Sequence, residues 1–342
     1  MSICFFVSLI AGFFLIRFAL RCNLMDVPVA RSSHVRPTPT LGGLAIVAAF
    51  LISVVLTRFF LVDWNPPVWI GWLVAGAGLV ACVGLLDDLF GLPVVLRLIL
   101  NVLAAGFPIF GGIRLNVFDG SLLGIVDLKT LEIPMTILWI MAIINFYNFM
   151  DGIDGLAVGV GVVVLGFLGY IGWRVGNRDI LVLGSLLGGA GLGFLWHNFP
   201  PARIFMGDVG STFIGYLLGV LALVGSQADG AGHIPLWVPV LLLGTFLFDT
   251  IVTLGRRILK KEKRYAAHRQ HYYQRMTKLG FSHRTVTLSE CGTTFLLGIS
   301  VLLGLGKNWT SVAQIFLVWL LVFMGVAQWI GVIERRISEE GK

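Results

Sequence analysis

Charged side chains are scarce in this sequence. They make up 13% of 342 residues, where soluble domains carry about a quarter. With 57% apolar residues and a mean hydropathy of +0.91, that shortage excludes a soluble cytoplasmic enzyme, a disordered chain and an ordinary nucleic-acid-binding domain. Cysteine is scarce too. Cys4, Cys22, Cys82 and Cys291 lie far apart and form no Cys-x-x-Cys pair, which leaves no support for a zinc site or a disulfide framework. No strand, glycine-rich loop and helix follow one another as a Rossmann or P-loop domain requires. The run GGAGLG at 188–193 contains no GxGxxG and sits inside an apolar stretch. Acidic residues number 18 against 25 basic ones, a net +7. In so apolar a chain, that excess reports membrane topology rather than a nucleic-acid partner.

What is present is a series of long apolar runs. A helix needs about 20 such residues to cross the hydrocarbon core. The runs predict an all-α polytopic membrane bundle of about eleven spans, near 3–20, 42–61, 68–86, 94–112, 134–147, 156–173, 180–197, 211–226, 236–255, 291–305 and 311–332. The first run lacks a basic start and a small-residue cleavage site, so a retained helix is expected rather than a signal peptide. Threading the chain through these spans puts 17 of the 25 basic residues on one set of loops and 6 on the other. By the positive-inside rule the first set is cytoplasmic. The N-terminus is then outside and the C-terminus cytoplasmic, in one transmembrane domain over 1–342 with a basic cytoplasmic loop at 256–290.

The polar clusters fall on that same predicted cytoplasmic side. Asp87 and Asp88 end the third span in GLLDDLFGL. Asn145, Asn148, Asp151 and Asp154 lie in NFYNFMDGIDGLA. Asp208 lies in PPARIFMGDVGST, and His268, His271 and Arg275 lie in AHRQHYYQRM. Each cluster alone has a plain structural explanation: a wet helix end, a cap, a turn, a lipid-facing basic loop. Neighbouring carboxylates beside apolar helices nevertheless cost free energy unless a cation or proton neutralises them. Oxygen ligands without cysteine favour Mg2+, with Mn2+ as the alternative, over zinc. Carboxylates, amides, imidazoles and arginines on one membrane face suit phosphoryl transfer to an acceptor in the bilayer. A transporter or flippase for a phosphorylated lipid or anion is the alternative. It would require polar groups at the bilayer midplane and paired broken helices. A scaffold that docks partners through the basic loop is a third, non-catalytic reading. Asp249, inside the ninth run, either lines the site or pairs with Arg256 or Arg257, and structural pairing is the expectation. Trp64, Trp69, Trp309 and Trp329 are expected as interface anchors. Gly155/Gly159, Gly184/Gly188 and Gly215/Gly219 are expected at close helix contacts.

Five segments, in order, carry a resemblance: RPTPTLGGL (36–44), LLDDLFGL (85–92), NFYNFMDGIDGLA (145–157), FMGDVGS (205–211) and AHRQHYYQR (267–275). They resemble the polyprenyl-phosphate N-acetylhexosamine-1-phosphate transferases. The resemblance implies transfer of a sugar 1-phosphate from a UDP-N-acetylhexosamine to undecaprenyl phosphate, with release of UMP, in the bacterial inner membrane and with the site facing the cytoplasm. It implies that Asp208 binds Mg2+, with Asp151 as a further metal ligand, and that Asp87 orients or deprotonates the acceptor with Asp88 beside it. Asn148, Asp151 and Asp154 would line the nucleotide pocket and Phe205 would stack on uracil. His268, Arg269, His271 and Arg275 would hold phosphate and sugar. The peptidoglycan branch has adjacent histidines followed by Phe-Glu in its last cytoplasmic loop; this loop does not. The resemblance therefore points to the O-antigen or GlcNAc-type branch, whose donors are UDP-GlcNAc or 6-deoxy relatives such as FucNAc and QuiNAc. The expected partners are the sugar nucleotide, the lipid phosphate, membrane lipid and a second copy in a homodimer.

Overall fold

The computed structural model describes residues 37–60, 64, 66–121, 124–227, 232–260 and 270–340, together with residues 10, 13, 14, 17, 18, 21, 25 and 26. Of the first expected span, Ile10, Phe13, Phe14, Arg17 and Phe18 are described, and all are helical. Beyond that segment the described residues form twelve α-helices, all of which overlap expected spans except one polar seven-residue helix inside the expected basic loop. They are α1 (Gly43–Phe60), α2 (Trp69–Phe90), α3 (Val94–Phe110), α4 (Glu132–Phe149), α5 (Leu156–Val175), α6 (Arg178–Asn198), α7 (Gly207–Gln227), α8 (Trp237–Leu242), α9 (Gly244–Leu259), α10 (Tyr272–Lys278), α11 (His283–Gly304) and α12 (Trp309–Glu340). Among the described residues, seven apolar helical stretches are long enough to cross a membrane. The chain is an all-α, polytopic membrane protein.

Three local expectations need correction. The single span at 236–255 is two helices, because Leu243 takes φ −87° and ψ 10° between α8 and α9. The span expected from 291 begins at His283, where Ser282 accepts the amide of Thr285 at 3.1 Å and caps α11. Part of the basic loop at 256–290 is therefore helix. The loop expected at 113–133 contains an antiparallel hairpin, β3 (Val117–Ser121) with β4 (Gly124–Asp127). A second short pair, β1 (Met25–Asp26) with β2 (Thr38–Pro39), precedes α1.

Burial sorts the helices into a centre and a rim. In α7 the most apolar window is 94% buried, whereas in α12 it is 11% buried. The exposed face of α12, including Leu317, Leu320, Leu321 and Met324, has the composition of a lipid-facing surface. The small residues are at close contacts, as the spacing predicts. A Cβ on Gly215 would lie 3.0 Å from Ile144 Cα, and one on Gly188 would lie 3.3 Å from Leu165 Cβ. Backbones approach this closely where there is no side chain to hold them apart. Trp64 is not an interface anchor. It is buried, and its indole N–H donates to Asp179 Oδ1 at 2.9 Å.

The up-and-down threading brings the C-terminal ends of α2, α4 and α6 to the same end of the bundle as the N-terminal ends of α3, α5 and α7. That end holds the functional clusters.

Candidate active site

The site grows from the N-terminus of α7. The first amides of a helix have no partner within it and carry its positive pole. Here Asp88, at the end of α2, takes two of them: Oδ1 accepts from Asp208 N at 2.9 Å and Oδ2 from Val209 N at 3.0 Å. Gly207 makes this possible. Its φ is +74°, and a Cβ there would lie 2.6 Å from Asp88 Oδ2. A larger residue would be strained and would also collide with the cap. Gly84, one turn before Asp88, admits α7 in the same way, since its Cβ would lie 2.6 Å from Val209 Cα.

With α7 fixed in this way, Asp208 meets groups from two further helices. Asn148 Nδ2, at the end of α4, donates to Asp208 Oδ1 and to Ser211 Oγ, both at 2.9 Å. Arg97 Nη1, on the first turn of α3, donates to Asp208 Oδ2 at 3.2 Å and also to Asp87 Oδ2. The other oxygen of Asp87 accepts the amide of Leu92 at 2.7 Å. The Asp87 side chain is 11% exposed, Asp208 31% and Arg97 33%, so the network opens to solvent on one side.

Asp151 lies in the loop between α4 and α5. Burial, and then the charges of Asp208, Asp88 and Asp154, hold its carboxyl well above the usual carboxylate range. Asp154 braces the loop. Its Oδ2 accepts Ala202 N at 3.0 Å, its Oδ1 lies 3.2 Å from His283 Nδ1, and its backbone carbonyl accepts from Thr287 at 2.8 Å. Phe205 is half-buried, and its N–H donates to Pro39 O at 2.8 Å. Its carbonyl accepts from Gly42 at 2.9 Å, so the RPTPTLGGL segment is stitched to the FMGDVGS loop.

The segment that follows the basic loop is anchored by α10. His271 Nδ1 lies 3.0 Å from Asp249 Oδ1, with both side chains nearly sealed, at 4% and 6% exposure. Asp249 also accepts from Thr253 at 3.0 Å and from Tyr273 N at 3.3 Å. Its partners are thus α10 and its own helix, which corrects the expected pairing with Arg256 or Arg257. Tyr273 reaches the α4–α5 loop, donating to Phe149 O at 3.0 Å. The His271 ring stands 6.2 Å from that of Phe149. Arg275 points to the other side of α10, where Nε and Nη2 make a bidentate pair with Glu334 at 2.8 and 2.6 Å. His268 and Arg269 lie outside the described residues.

Asp87, Asp88, Asn148 and Asp208 therefore form one contact network, with Asp151 coupled to it through space. Sequence reasoning passed over Arg97, Ser211 and His283. The signal for Arg97 was available, since a lone charge within an apolar span is a functional flag in its own right. Asp249 carried the same signal and was given the wrong partner. Ser211 and His283 had no such mark.

The chain is similar to known proteins over most of its length. The family described as Glycosyl transferase family 4 matches residues 69–226. A probable undecaprenyl-phosphate N-acetylglucosaminyl 1-phosphate transferase of Bacillus subtilis is 30% identical over 325 residues, covering 94% of this chain and 88% of that protein. The chain belongs to the polyprenyl-phosphate N-acetylhexosamine-1-phosphate transferase family. A decaprenyl-phosphate N-acetylglucosaminephosphotransferase of Mycolicibacterium smegmatis is 32% identical over 298 residues, covering 79% of this chain and 72% of that protein. A phospho-N-acetylmuramoyl-pentapeptide-transferase of Borrelia hermsii is 30% identical over 325 residues, covering 83% and 88%. As a member of this family the chain is a polyprenyl-phosphate sugar-phosphate transferase.

Proposed function

We propose that this transferase moves N-acetylglucosamine 1-phosphate, or a 6-deoxy relative, from its UDP derivative to undecaprenyl phosphate at the cytoplasmic face of the inner membrane. UMP leaves, and a lipid-linked pyrophosphoryl sugar begins O-antigen or another cell-surface polysaccharide. One observation carries this reading: Asp87, Asp208, Asn148 and Arg97 make a single hydrogen-bonded network at one end of the bundle. The names of the Bacillus and Mycolicibacterium relatives, both N-acetylglucosamine transferases, support the donor class. The apolar runs support eleven spans, and the distribution of basic residues supports an outside N-terminus with the network facing inward. The whole chain acts as one domain.

The donor set fits Mg2+. Asp87 Oδ2 and Asp208 Oδ2 already converge on one cationic nitrogen. Among the described residues no three carboxylate, imidazole or thiolate groups are gathered tightly enough to hold an ion alone. That suits an ion taking one or two carboxylates from protein and the rest of its shell from substrate phosphate and water. Asp208 and Asp87 would hold it, with Asp151 behind them. When bound, the ion would neutralise pyrophosphate charge and polarise a phosphoryl oxygen as a Lewis acid.

The protein's own residues supply position. An oxygen of the lipid phosphate attacks the sugar-linked phosphorus of the donor, and the bond from that phosphorus to the UMP oxygen breaks. The second pKa of a phosphate monoester is about 6, so the acceptor is largely dianionic at neutral pH and orientation matters more than proton removal. Asp88 acts through the α7 N-terminus as a positioning residue. Asp249 meets Nδ1 of His271 at 3.0 Å and so fixes the orientation of the imidazole. The test is UMP release by purified protein given undecaprenyl phosphate and UDP-GlcNAc, UDP-GalNAc or their 6-deoxy relatives, with and without Mg2+. Turnover with UDP-GlcNAc or a 6-deoxy relative, lost on chelation, is expected. Turnover that survives chelation would remove the ion.

A further inference from the structure

The carboxylate network contains a cation of its own. One atom, Arg97 Nη1, donates both to Asp87 Oδ2 and to Asp208 Oδ2, the latter at 3.2 Å. The remaining oxygens of these two side chains are already taken by protein donors. Asp87 Oδ1 accepts the amide of Leu92 at 2.7 Å, and Asp208 Oδ1 accepts from Asn148 at 2.9 Å. The two Oδ2 atoms are therefore what the pair can offer a metal ion without dismantling the fold, and they are the atoms that the guanidinium covers. Asp88 offers no alternative in this arrangement, because both of its oxygens cap α7.

We propose that Arg97 is a built-in counter-cation, occupying the place between Asp87 and Asp208 until a divalent ion displaces it. The proposal deepens the Mg2+ reading above and rests on it. Two like charges facing each other across a partly desolvated cleft repel, so without an ion something positive must stand between them. Arg97 can do this and still leave. It sits on the first turn of α3, its side chain is one-third exposed, and its long stem swings without moving the helix. A departing guanidinium also needs a new partner. Phosphate oxygens match its planar fork, and a donor pyrophosphate brings them to this cleft. Ion entry, arginine release and phosphate capture are then one exchange, which favours an ion arriving with its nucleotide over an ion arriving alone.

The experiment is Mn2+ binding to the purified full-length protein without nucleotide, read by electron paramagnetic resonance. Arg97→Gln should bind Mn2+ about tenfold more tightly than the native chain. The metal-free variant should melt at a lower temperature than the native protein and gain more on addition of Mg2+. Equal or weaker Mn2+ binding by Arg97→Gln overturns the proposal. If that variant does not accumulate, Arg97→Met serves: it keeps an unbranched stem without the charge, so tighter binding than native is expected, and unchanged binding overturns the proposal. Asp208→Asn separates the two layers. Loss of Mn2+ binding in this variant keeps the ion at the network. If Mn2+ binding survives in Asp208→Asn, the ion reading itself falls, and the proposal for Arg97 falls with it.

Discussion

The two polar regions at this end of the bundle are built differently. The carboxylate network of α2, α3, α4 and α7 is open on one side and held by charge: Asp87, Asp208 and Arg97 are 11–33% exposed. The α9–α10 region is closed. Asp249 and His271 are nearly sealed, the loop is pinned by Tyr273, and on the opposite face of α10 Tyr272 packs with Ala327 and Ile330 of α12. An open network held by charge can exchange one cation for another with little movement. A sealed dyad cannot, because every alternative leaves a buried polar group without a partner. The first region is suited to receiving phosphate and metal, and the second to holding one imidazole still.

The sharpest way to break that comparison is Asp208→Asn. It removes a charge from the open network while keeping the size of the side chain. UMP release should fall by about 10³-fold or more, with the melting temperature near native. Asp249→Asn probes the closed region. It takes the charge from behind His271 and should lower kcat by about 10²-fold, and it should also lower the melting temperature, because the loss is in a sealed site. If Asp249→Asn left both quantities unchanged, the contrast between the regions would collapse. Gly207→Ala tests the joint between α2 and α7. The positive φ and the clash with Asp88 should cost about 1–3 kcal/mol, read as a lower melting temperature. Glu334→Gln should do least. It removes the charge from the partner of Arg275, but at Glu334, which is 38% exposed against 13% for Arg275, solvent screens the pair and Gln can still accept a hydrogen bond, so the cost should be about 1 kcal/mol. A large loss of activity there would show that α10 is held more by this pair than by Asp249 and Tyr273.

Much of the architecture was legible in sequence, because hydropathy is a local property. The runs at 156–173 and 180–197 became α5 and α6 with ends shifted by a few residues. The failures are equally physical. Hydropathy cannot see a break such as Leu243, where apolar residues continue on both sides. It also cannot see that Trp64 would find Asp179 across 115 positions. The candidate site was legible as residue types and as a shared side. Asp88 looked like a partner in the chemistry and is placed as a helix cap. Arg97 looked like part of a span and stands between two carboxylates.

The sequence alone determined that the chain lies in a membrane, where its helices run, which family its motifs belong to, and that its acidic and imidazole groups cluster between particular spans. Tertiary structure decided who meets whom. Arg97 and Asp208 are 111 positions apart, and Asp88 and Val209 are 121 apart. Periodicity and composition act over a few turns of helix, whereas these contacts are fixed by the packing of whole helices, which glycines such as Gly84 and Gly207 allow to come close enough to touch.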